Sequence, residues 1–320
     1  HKHLRVAIIG CGLIGQSWAI VFARAGARVS LYDRDQSAAV GALSKVEQGL
    51  KLLAAADHES GTDVLAGMAA LSVAETMEQA IEQADYIQES GPENPGIKAD
   101  LTRQIDMIAR PGVAIGSSTS GITASQYSVA VPGRTRCLVV HPINPPHLLN
   151  AVELVPSPWT DATVIRNVKN ILIGVGQSVL VLKKEIDGFV INRLQGALLA
   201  EAFRLVGDGV ITAKELDLAM TEGLGLRWSV IGPFASIHLN APGGISQYVE
   251  RFGLMYQQMF DDRQPSETWS EVVASGLGDE LLSQTPLSVL QRAASDRDSA
   301  ILAAKRARQA QANRDGLNAS

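Results

Sequence analysis

A glycine-rich segment over residues 10–15 restricts the fold of this chain more than any other part of the sequence. It reads Gly-Cys-Gly-Leu-Ile-Gly and joins an apolar run, residues 4–9, to a helical pattern over residues 18–25. In a strand–turn–helix unit the first glycine permits a tight turn, the second lets a pyrophosphate approach the backbone, and the third allows close packing of helix on strand. Free amides at the start of that helix favour an anion. The segment therefore predicts a dinucleotide-binding turn made by Gly10, Gly12, Leu13, Ile14 and Gly15.

An acidic residue, Asp33, stands at the end of the next predicted strand, residues 28–33. A carboxylate at this point accepts hydrogen bonds from the adenosine ribose and repels a 2′-phosphate, so the sequence predicts NAD rather than NADP. Arg34 opposes this prediction, because a neighbouring arginine can accommodate the 2′-phosphate. A tight turn without a ligand is the weaker interpretation, given the strand and helix on either side.

The first half of the chain alternates short apolar runs with helical patterns. Such alternation predicts an α/β fold with a doubly wound, mainly parallel sheet of Rossmann type. Further strand candidates are residues 85–88, 113–117, 136–140, 151–155 and 178–182. The long connection between Asp33 and Asp85 predicts a helical excursion that leaves the sheet, with one helix over residues 37–56 and a second, shorter one.

The pattern changes after residue 186. From Phe189 onwards apolar residues recur at helical spacing, and glycines predict loops at residues 223–225 and 241–244. We therefore predict two domains. Residues 1–186 form a dinucleotide-binding Rossmann domain, and residues 187–320 form an all-helical domain for substrate binding and dimerisation.

Composition excludes several classes of function. A net charge of −5 gives no general attraction to nucleic acid or to anionic membranes. No apolar run approaches the length that spans a bilayer, and no basic-then-apolar leader is present, so a cytoplasmic enzyme is the expectation. Cys11 and Cys137 are the only cysteines and lack a nearby His or Cys at ligand spacing. We predict reduced core residues and no metal site.

Two polar segments follow apolar strands, at the carboxyl edge where a doubly wound sheet contacts its ligands. A serine-rich turn over residues 116–121 follows one strand, and His141 follows another, with Glu153 on the strand after it. A histidine beside a carboxylate suits a general base, because the carboxylate fixes the tautomer and stabilises the imidazolium. These residues alone leave His141 open, since a histidine beside prolines is often a satisfied structural residue.

Five motifs then carry a family resemblance. They are the glycine turn, Ser-Ser-Thr-Ser at 117–120, His-Pro-Ile-Asn-Pro-Pro at 141–146, Val-Glu-Leu-Val at 152–155 and Asp-Gly-Phe-Val-Ile-Asn-Arg at 187–193. Together they resemble the 3-hydroxyacyl-CoA dehydrogenase superfamily. Within it, Gly-Leu-Gly-Leu-Arg-Trp at 223–228, Ile-Gly-Pro-Phe at 231–234 and His-Leu-Asn-Ala at 238–241 resemble the L-gulonate 3-dehydrogenase and lambda-crystallin branch. The resemblance implies an NAD-dependent dehydrogenase of a secondary alcohol, assembled as a homodimer.

The resemblance also implies roles for the matching residues. His141 would be the general base and Glu153 its carboxylate partner. Ser120 would hydrogen-bond the reacting oxygen, and Asn192 would help to hold the substrate. The implied cofactor contacts outside the glycine turn are Asp33, Glu93, Lys98 and Ser118, of which Glu93 and Lys98 would lie near the nicotinamide.

The substrate is predicted to be a free 3-hydroxy acid, by resemblance L-gulonate. An acyl-CoA needs several cations for its phosphates, whereas the excursion offers only Lys45 and Lys51, opposed by Asp57 and Glu59. The alternatives are a short-chain 3-hydroxyacyl-CoA, L-carnitine, and a non-catalytic NAD-binding protein of the crystallin kind. L-carnitine would need an aromatic cage for its ammonium group.

Arg227, which we expect in a loop of the helical domain, is the second indication of a free acid. A guanidinium pairs bidentately with a carboxylate better than a lysine does, so Arg227 could bind the substrate carboxylate. The alternative is an interface salt bridge or stacking on Trp228.

Overall fold

The computed structural model describes residues 4–56, 63–261, 271, 274, 276, 278–284 and 286–314. The chain divides into two compact units between Arg193 and Leu194. This division falls inside the helix Ile191–Gly207, a few residues beyond the domain boundary predicted at residue 186.

One sheet lies at the centre of the first unit. Its strands are β1 (Arg5–Ile9), β2 (Arg28–Tyr32), β3 (Leu71–Val73), β4 (Tyr86–Glu89), β5 (Ala114–Ser117), β6 (Cys137–Pro142), β7 (Ala151–Pro156) and β8 (Ser178–Val181). Their order in the sheet is β3-β2-β1-β4-β5-β6-β7-β8. All neighbours are parallel except β6 and β7, which are antiparallel. The predicted doubly wound, mainly parallel sheet is confirmed.

Helices lie between most of these strands in the first unit. They are α1 (Leu13–Arg24), α2 (Gln36–Ala56), α3 (Val64–Ala69), α4 (Met77–Ile81), α5 (Pro95–Ile108), α6 (Ala124–Ser128) and α7 (Ala162–Gly174). The helix α8 (Ile191–Gly207) runs into the second unit, which continues with α9 (Ala213–Ala219), α10 (Gly225–Val230), α11 (Pro233–Leu239), α12 (Gly244–Asp261) and the helices Gly278–Gln284 and Leu290–Arg314. The predicted helical second domain is confirmed. Among the described residues, no helix is both long and apolar enough to cross a bilayer.

The core explains why β1 reads as an unbroken apolar run. A central parallel strand is covered by helices on both faces, so its side chains are buried on both sides. Of β1, only Arg5 is not fully buried. On one face α1 packs its aromatic rings, with the centroid of Phe22 lying 5.8 Å from that of Trp18 and 5.9 Å from that of Tyr86 on β4. On the other face Ile81 of α4 and Ile105 of α5 join the core.

The helical excursion was predicted incompletely. The helix α2 matches the prediction closely, and α3 supplies the shorter helix. However, β3 was missed, and it returns the excursion to the sheet by pairing parallel to β2. A strand of three residues is too short to show a two-residue period, so the sequence pattern carries no signal for it.

The loop predicted at residues 223–225 is wrong, and so is the placement of Arg227 in a loop. The chain makes a wide π-type turn over Met220–Leu224 and continues directly into α10, which contains Arg227. A Cβ atom on Gly225 would lie 2.7 Å from the carbonyl oxygen of Met220. The glycine therefore permits close backbone approach inside a helix, where its sequence suggested a break.

Candidate active site

The strands β1 and β4 lie side by side at the point where the chain reverses its direction across the sheet. From β1 the chain proceeds outwards to β2 and β3, whereas β4, β5 and β6 proceed the other way. Open α/β sheets bind ligands in the crevice at the carboxyl ends of strands that flank such a reversal. The glycine turn follows β1 and the serine-rich turn follows β5, so both lie at this edge.

The glycine turn has the close packing that its sequence predicts. Gly10 has a φ of +100°, and a Cβ atom there would lie 2.6 Å from the backbone carbon and oxygen of Ser90. A Cβ atom on Gly15 would lie 1.9 Å from the carbonyl oxygen of Gly10. By contrast, a Cβ atom on Gly12 would meet nothing within 4 Å. Gly12 begins α1 without a side-chain cap, so the first amides of the helix face open space that suits an anion.

Asp33 ties the end of β2 to this turn. One carboxylate oxygen accepts a hydrogen bond from the amide of Cys11 at 2.8 Å, and the other accepts one from the amide of Asp35 at 2.9 Å. Leu13 is exposed and Ile14 is half-buried in the first turn of α1, beside the same open space. The residues predicted to hold the adenosine half of a dinucleotide are thus brought together.

His141 and Glu153 face each other across the antiparallel pair β6 and β7. They are register partners, and Nδ1 of His141 lies 2.8 Å from Oε2 of Glu153. Both side chains are buried. The other carboxylate oxygen of Glu153 accepts hydrogen bonds from the amides of Val190 at 2.8 Å and Ile191 at 3.1 Å.

These contacts favour the ionised form of Glu153. Burial would raise the pKa of Glu153, but the hydrogen bonds from His141, Val190 and Ile191 outweigh it and hold this pKa below its ordinary value. An ionised carboxylate only accepts hydrogen bonds, so Nδ1 of His141 carries the proton. In the neutral imidazole, Nε2 then carries the free lone pair that a general base requires.

Phe189 is a site residue that the sequence analysis missed, since it was assigned to a helical repeat. Its backbone is left-handed, with a φ of +52°, and its side chain is fully buried. Its ring centroid lies 5.3 Å from that of His141. A left-handed phenylalanine is uncommon and strained. The preceding Asp187-Gly188 pair is the sequence signal from which this turn could have been predicted. The turn directs the amides of Val190 and Ile191 towards Glu153.

The serine-rich turn meets Asn192 and Glu93. Nδ2 of Asn192 donates to the carbonyl oxygen of Ser120 at 2.7 Å. Oε1 of Glu93 accepts from the Thr119 hydroxyl at 2.6 Å and from the amides of Ser120 at 2.9 Å and Gly121 at 3.1 Å. The backbone of Ser120 is therefore held from two sides, while the residue itself is exposed.

Lys98 and Ser118 are both buried and hydrogen-bonded within the protein. Lys98 is buried, with Nζ 3.1 Å from both carboxylate oxygens of Glu89 and 3.6 Å from Glu93. Ser118 is also buried, and its hydroxyl contacts Trp18, Gln88 and Ser90. Arg227 is exposed and belongs to the second unit.

The two cysteines are free and buried, as expected. Burial raises the pKa of both Cys11 and Cys137 to about 12, so neither thiol is a nucleophile near neutral pH. Within the part of the chain that the structure describes, no three His, Cys, Asp or Glu side chains are grouped to hold a metal ion.

Comparison with known families decides the assignment. The sequence profile described as 3-hydroxyacyl-CoA dehydrogenase, NAD binding domain, matches residues 5–186, and that of the C-terminal domain matches residues 188–281. The chain belongs to the 3-hydroxyacyl-CoA dehydrogenase family. The predicted resemblance is confirmed, and so is NAD as the cofactor, for which the glycine turn, the open space at Gly12 and Asp33 form a fitting site.

Relatives with different names are similar to this chain. A lambda-crystallin homolog from Bos taurus is 41% identical over 249 residues, which cover 78% of this chain and 77% of the relative. An L-carnitine dehydrogenase from Streptomyces coelicolor is 36% identical over 250 residues, covering 78% and 77%. A solved structure of an NAD+-dependent 5-formyl-3-hydroxy-2-methylpyridine 4-carboxylic acid 5-dehydrogenase has a TM-score of 0.78 and 26% identity, and the match covers 96% of this chain and 99% of that one.

Proposed function

We propose that this member of the 3-hydroxyacyl-CoA dehydrogenase family oxidises the 3-hydroxyl group of a free 3-hydroxy acid, with L-gulonate as the favoured substrate and 3-dehydro-L-gulonate as the product. The catalytic part of this proposal rests on the buried pair of His141 and Glu153, in which Nδ1 and Oε2 lie 2.8 Å apart. It leaves Nε2 of His141 as an acceptor, next to the edge of the sheet where the cofactor site lies.

Each residue of the site has its own role in the proposed reaction. Nε2 of His141 takes the hydroxyl proton, and Glu153 stabilises the imidazolium that results. Ser120 donates a hydrogen bond to the oxygen as it becomes a carbonyl, while Asn192 holds the Ser120 turn at 2.7 Å and borders the substrate. NAD+, when bound, supplies the acceptor for the hydride that leaves the carbon. The protein itself contributes orientation and the base.

A non-catalytic crystallin-like role is the alternative from another class. A bulk or NAD-sensing protein has no need of a base with an ionised partner. The set of His141, Glu153, Ser120 and Asn192 is complete here, and His141, Glu153 and Asn192 are joined to other parts of the site by side-chain hydrogen bonds. This geometry supports catalysis.

Two observations support a free acid over a CoA ester. Lys51 on α2 pairs with Glu47 at 2.5 Å, so its charge is already partly balanced. The solved relative with the TM-score of 0.78 acts, by its name, on a free carboxylic acid. Asp57 and Glu59, which the sequence analysis set against CoA phosphates, lie outside the described residues. L-carnitine is also a free 3-hydroxy acid, so these two observations do not separate it from L-gulonate; its ammonium group would need an aromatic cage.

The substrate class is tested by initial rates of NAD+ reduction at mildly alkaline pH. L-Gulonate, L-3-hydroxybutyrate, L-carnitine and L-3-hydroxybutyryl-CoA are compared at equal concentration. We expect L-gulonate to be preferred over the CoA ester by about tenfold or more in kcat/KM. Preference for the CoA ester would overturn the free-acid proposal while leaving NAD and the His141–Glu153 pair intact. Binding of NADH without turnover of any compound would favour the crystallin-like role.

Arg227 is our proposed partner for the substrate carboxylate. We expect Arg227→Met to raise KM for the preferred acid by about 10- to 100-fold with a smaller change in kcat, because a charge-assisted bidentate pair is lost. Arg251→Met, which removes another exposed arginine of the second unit, is the matched control and should leave KM unchanged. An unchanged KM in the Arg227 variant would mean that Arg227 serves an interface or stacks on Trp228.

We also propose that the chain forms a homodimer through its second unit. The helix α8 contains no buried residue, although Leu194 and Leu198 stand on it. Further along, Phe234, Leu239 and Leu254 are 76%, 72% and 67% exposed. Apolar surface on this scale is typical of a face that is covered in the working protein.

A further inference from the structure

Ser90 lies at the reversal point of the sheet, and no role was predicted for it. It is the first residue after β4, and its amide donates to the carbonyl oxygen of Ile9 at the end of β1 at 2.7 Å. Its backbone packs against Gly10, the first glycine of the cofactor turn. Ser90 is half-buried, so its hydroxyl lies between the protein interior and the crevice.

A chain of buried hydrogen bonds leads to Ser90. The hydroxyl of Tyr86 donates to Oε1 of Gln88 at 2.5 Å, and Nε2 of Gln88 lies 2.7 Å from Oγ of Ser118. The reverse orientation of the Gln88 amide would leave the buried proton of Tyr86 without an acceptor among the described residues, which is costly. Nε2 of Gln88 is therefore a donor to Ser118. Nε1 of Trp18, which can only donate, is a second donor to the same oxygen at 3.1 Å.

The donors around Ser118 determine the direction of its hydrogen bond to Ser90. A serine hydroxyl has two acceptor lone pairs and one proton. Both lone pairs of Ser118 are occupied by Gln88 and Trp18, so its proton must go to Oγ of Ser90, 2.9 Å away. The hydroxyl of Ser118 has no capacity left for a ligand. The direct cofactor contact that the sequence predicted for Ser118 is therefore not supported by its hydrogen bonds.

Ser90 is left with a proton to donate. Its hydroxyl accepts from Ser118 and makes no other hydrogen bond within the residues that the structure describes. Because β1 lies between β2 and β4, Ser90 stands on the opposite side of the glycine turn from Asp33. If Asp33 binds the adenosine ribose, Ser90 faces the part of a dinucleotide beyond the pyrophosphate.

We propose that the hydroxyl of Ser90 donates a hydrogen bond to an acceptor oxygen of bound NAD, on the nicotinamide ribose or the phosphate joined to it. The hydrogen bonds through Tyr86, Gln88 and Ser118 already orient the Ser90 hydroxyl as a donor. A hydroxyl that is already oriented loses little rotational freedom when the cofactor binds. The proposal rests on NAD as the cofactor and is independent of the free-acid substrate and of Arg227.

Binding measured by fluorescence titration tests this without turnover. We expect Ser90→Ala to weaken NADH binding by about three- to tenfold, the usual effect of one lost hydrogen bond. Ser90→Thr keeps the hydroxyl and should bind NADH within about twofold of the wild-type chain on the same scale. Competition with ADP-ribose, which retains the distal ribose, should show the same loss in Ser90→Ala, whereas competition with AMP should show none.

Three results would overturn the proposal. They are an unchanged Kd for NADH in Ser90→Ala, an equal loss in Ser90→Thr, and an equal loss for AMP. The last result would mean that the substitution disturbs the glycine turn as a whole. None of these outcomes depends on which hydroxy acid is the substrate, so a failure here is distinct from a failure of the proposed function.

Discussion

Replacing His141 with asparagine is expected to lower kcat by about 100- to 10,000-fold, the usual contribution of a general base. Asparagine retains a donor close to the position of Nδ1, so Glu153 keeps a partner and the buried carboxylate is not left alone. The Kd for NADH should stay within about twofold of the wild-type value, because the pair lies on β6 and β7 and the glycine turn follows β1.

The control is His147→Asn, which changes a histidine on the same segment that is not part of the pair. It should retain most of the wild-type kcat. Initial rates and fluorescence titration of NADH on both variants separate loss of the base from loss of the fold. A His141→Asn variant that keeps more than about a tenth of the wild-type kcat would exclude His141 as the proton acceptor.

Replacing Glu153 with glutamine is expected to reduce kcat nearly as much, by about 100-fold or more. The amide oxygen can still accept from Val190 and Ile191. The amide NH2 group then faces Nδ1 of His141 and forces it to act as an acceptor. The imidazole proton moves to Nε2, where the substrate hydroxyl would need a base.

The variant Glu153→Asp separates this effect from a loss of packing. It keeps an ionised partner for Nδ1 of His141 and should retain more of the wild-type kcat than Glu153→Gln does. An equal loss of kcat in the two variants would contradict an electrostatic role for Glu153.

Stability gives a second readout for Glu153. Its pKa in the folded chain lies below the ordinary value, so the ionised carboxylate stabilises the fold at pH above the ordinary glutamate range. This contribution is lost as the pH falls through the folded pKa. At neutral pH the glutamine variant should therefore be less stable than the wild-type chain, and the difference should shrink in acid.

Local features were predicted well because their causes are local. The third glycine of the cofactor turn depends on backbone approach within six residues, and Gly15 shows the close contact with Gly10 that it requires. The central strands were predicted because burial on two faces produces an unbroken apolar run. The strand β3 has only three residues, which are too few to show a periodic pattern, and it was missed. The turn at residues 220–224 was predicted to be a loop because of its glycines, whereas the chain is helical there.

The same distinction between local and long-range causes applies to the functional residues. The amino-acid sequence by itself determined the family, the cofactor and the identity of His141, Glu153, Ser120 and Asn192 as candidates. Only the tertiary structure decided that His141 and Glu153 are register partners, that Phe189 packs on the imidazole, and that Ser118 is saturated while Ser90 keeps a free proton. Those facts depend on which strands pair and on how many donors converge on one oxygen. No local pattern records them, because the partners are far apart in the chain and meet only when the sheet has formed.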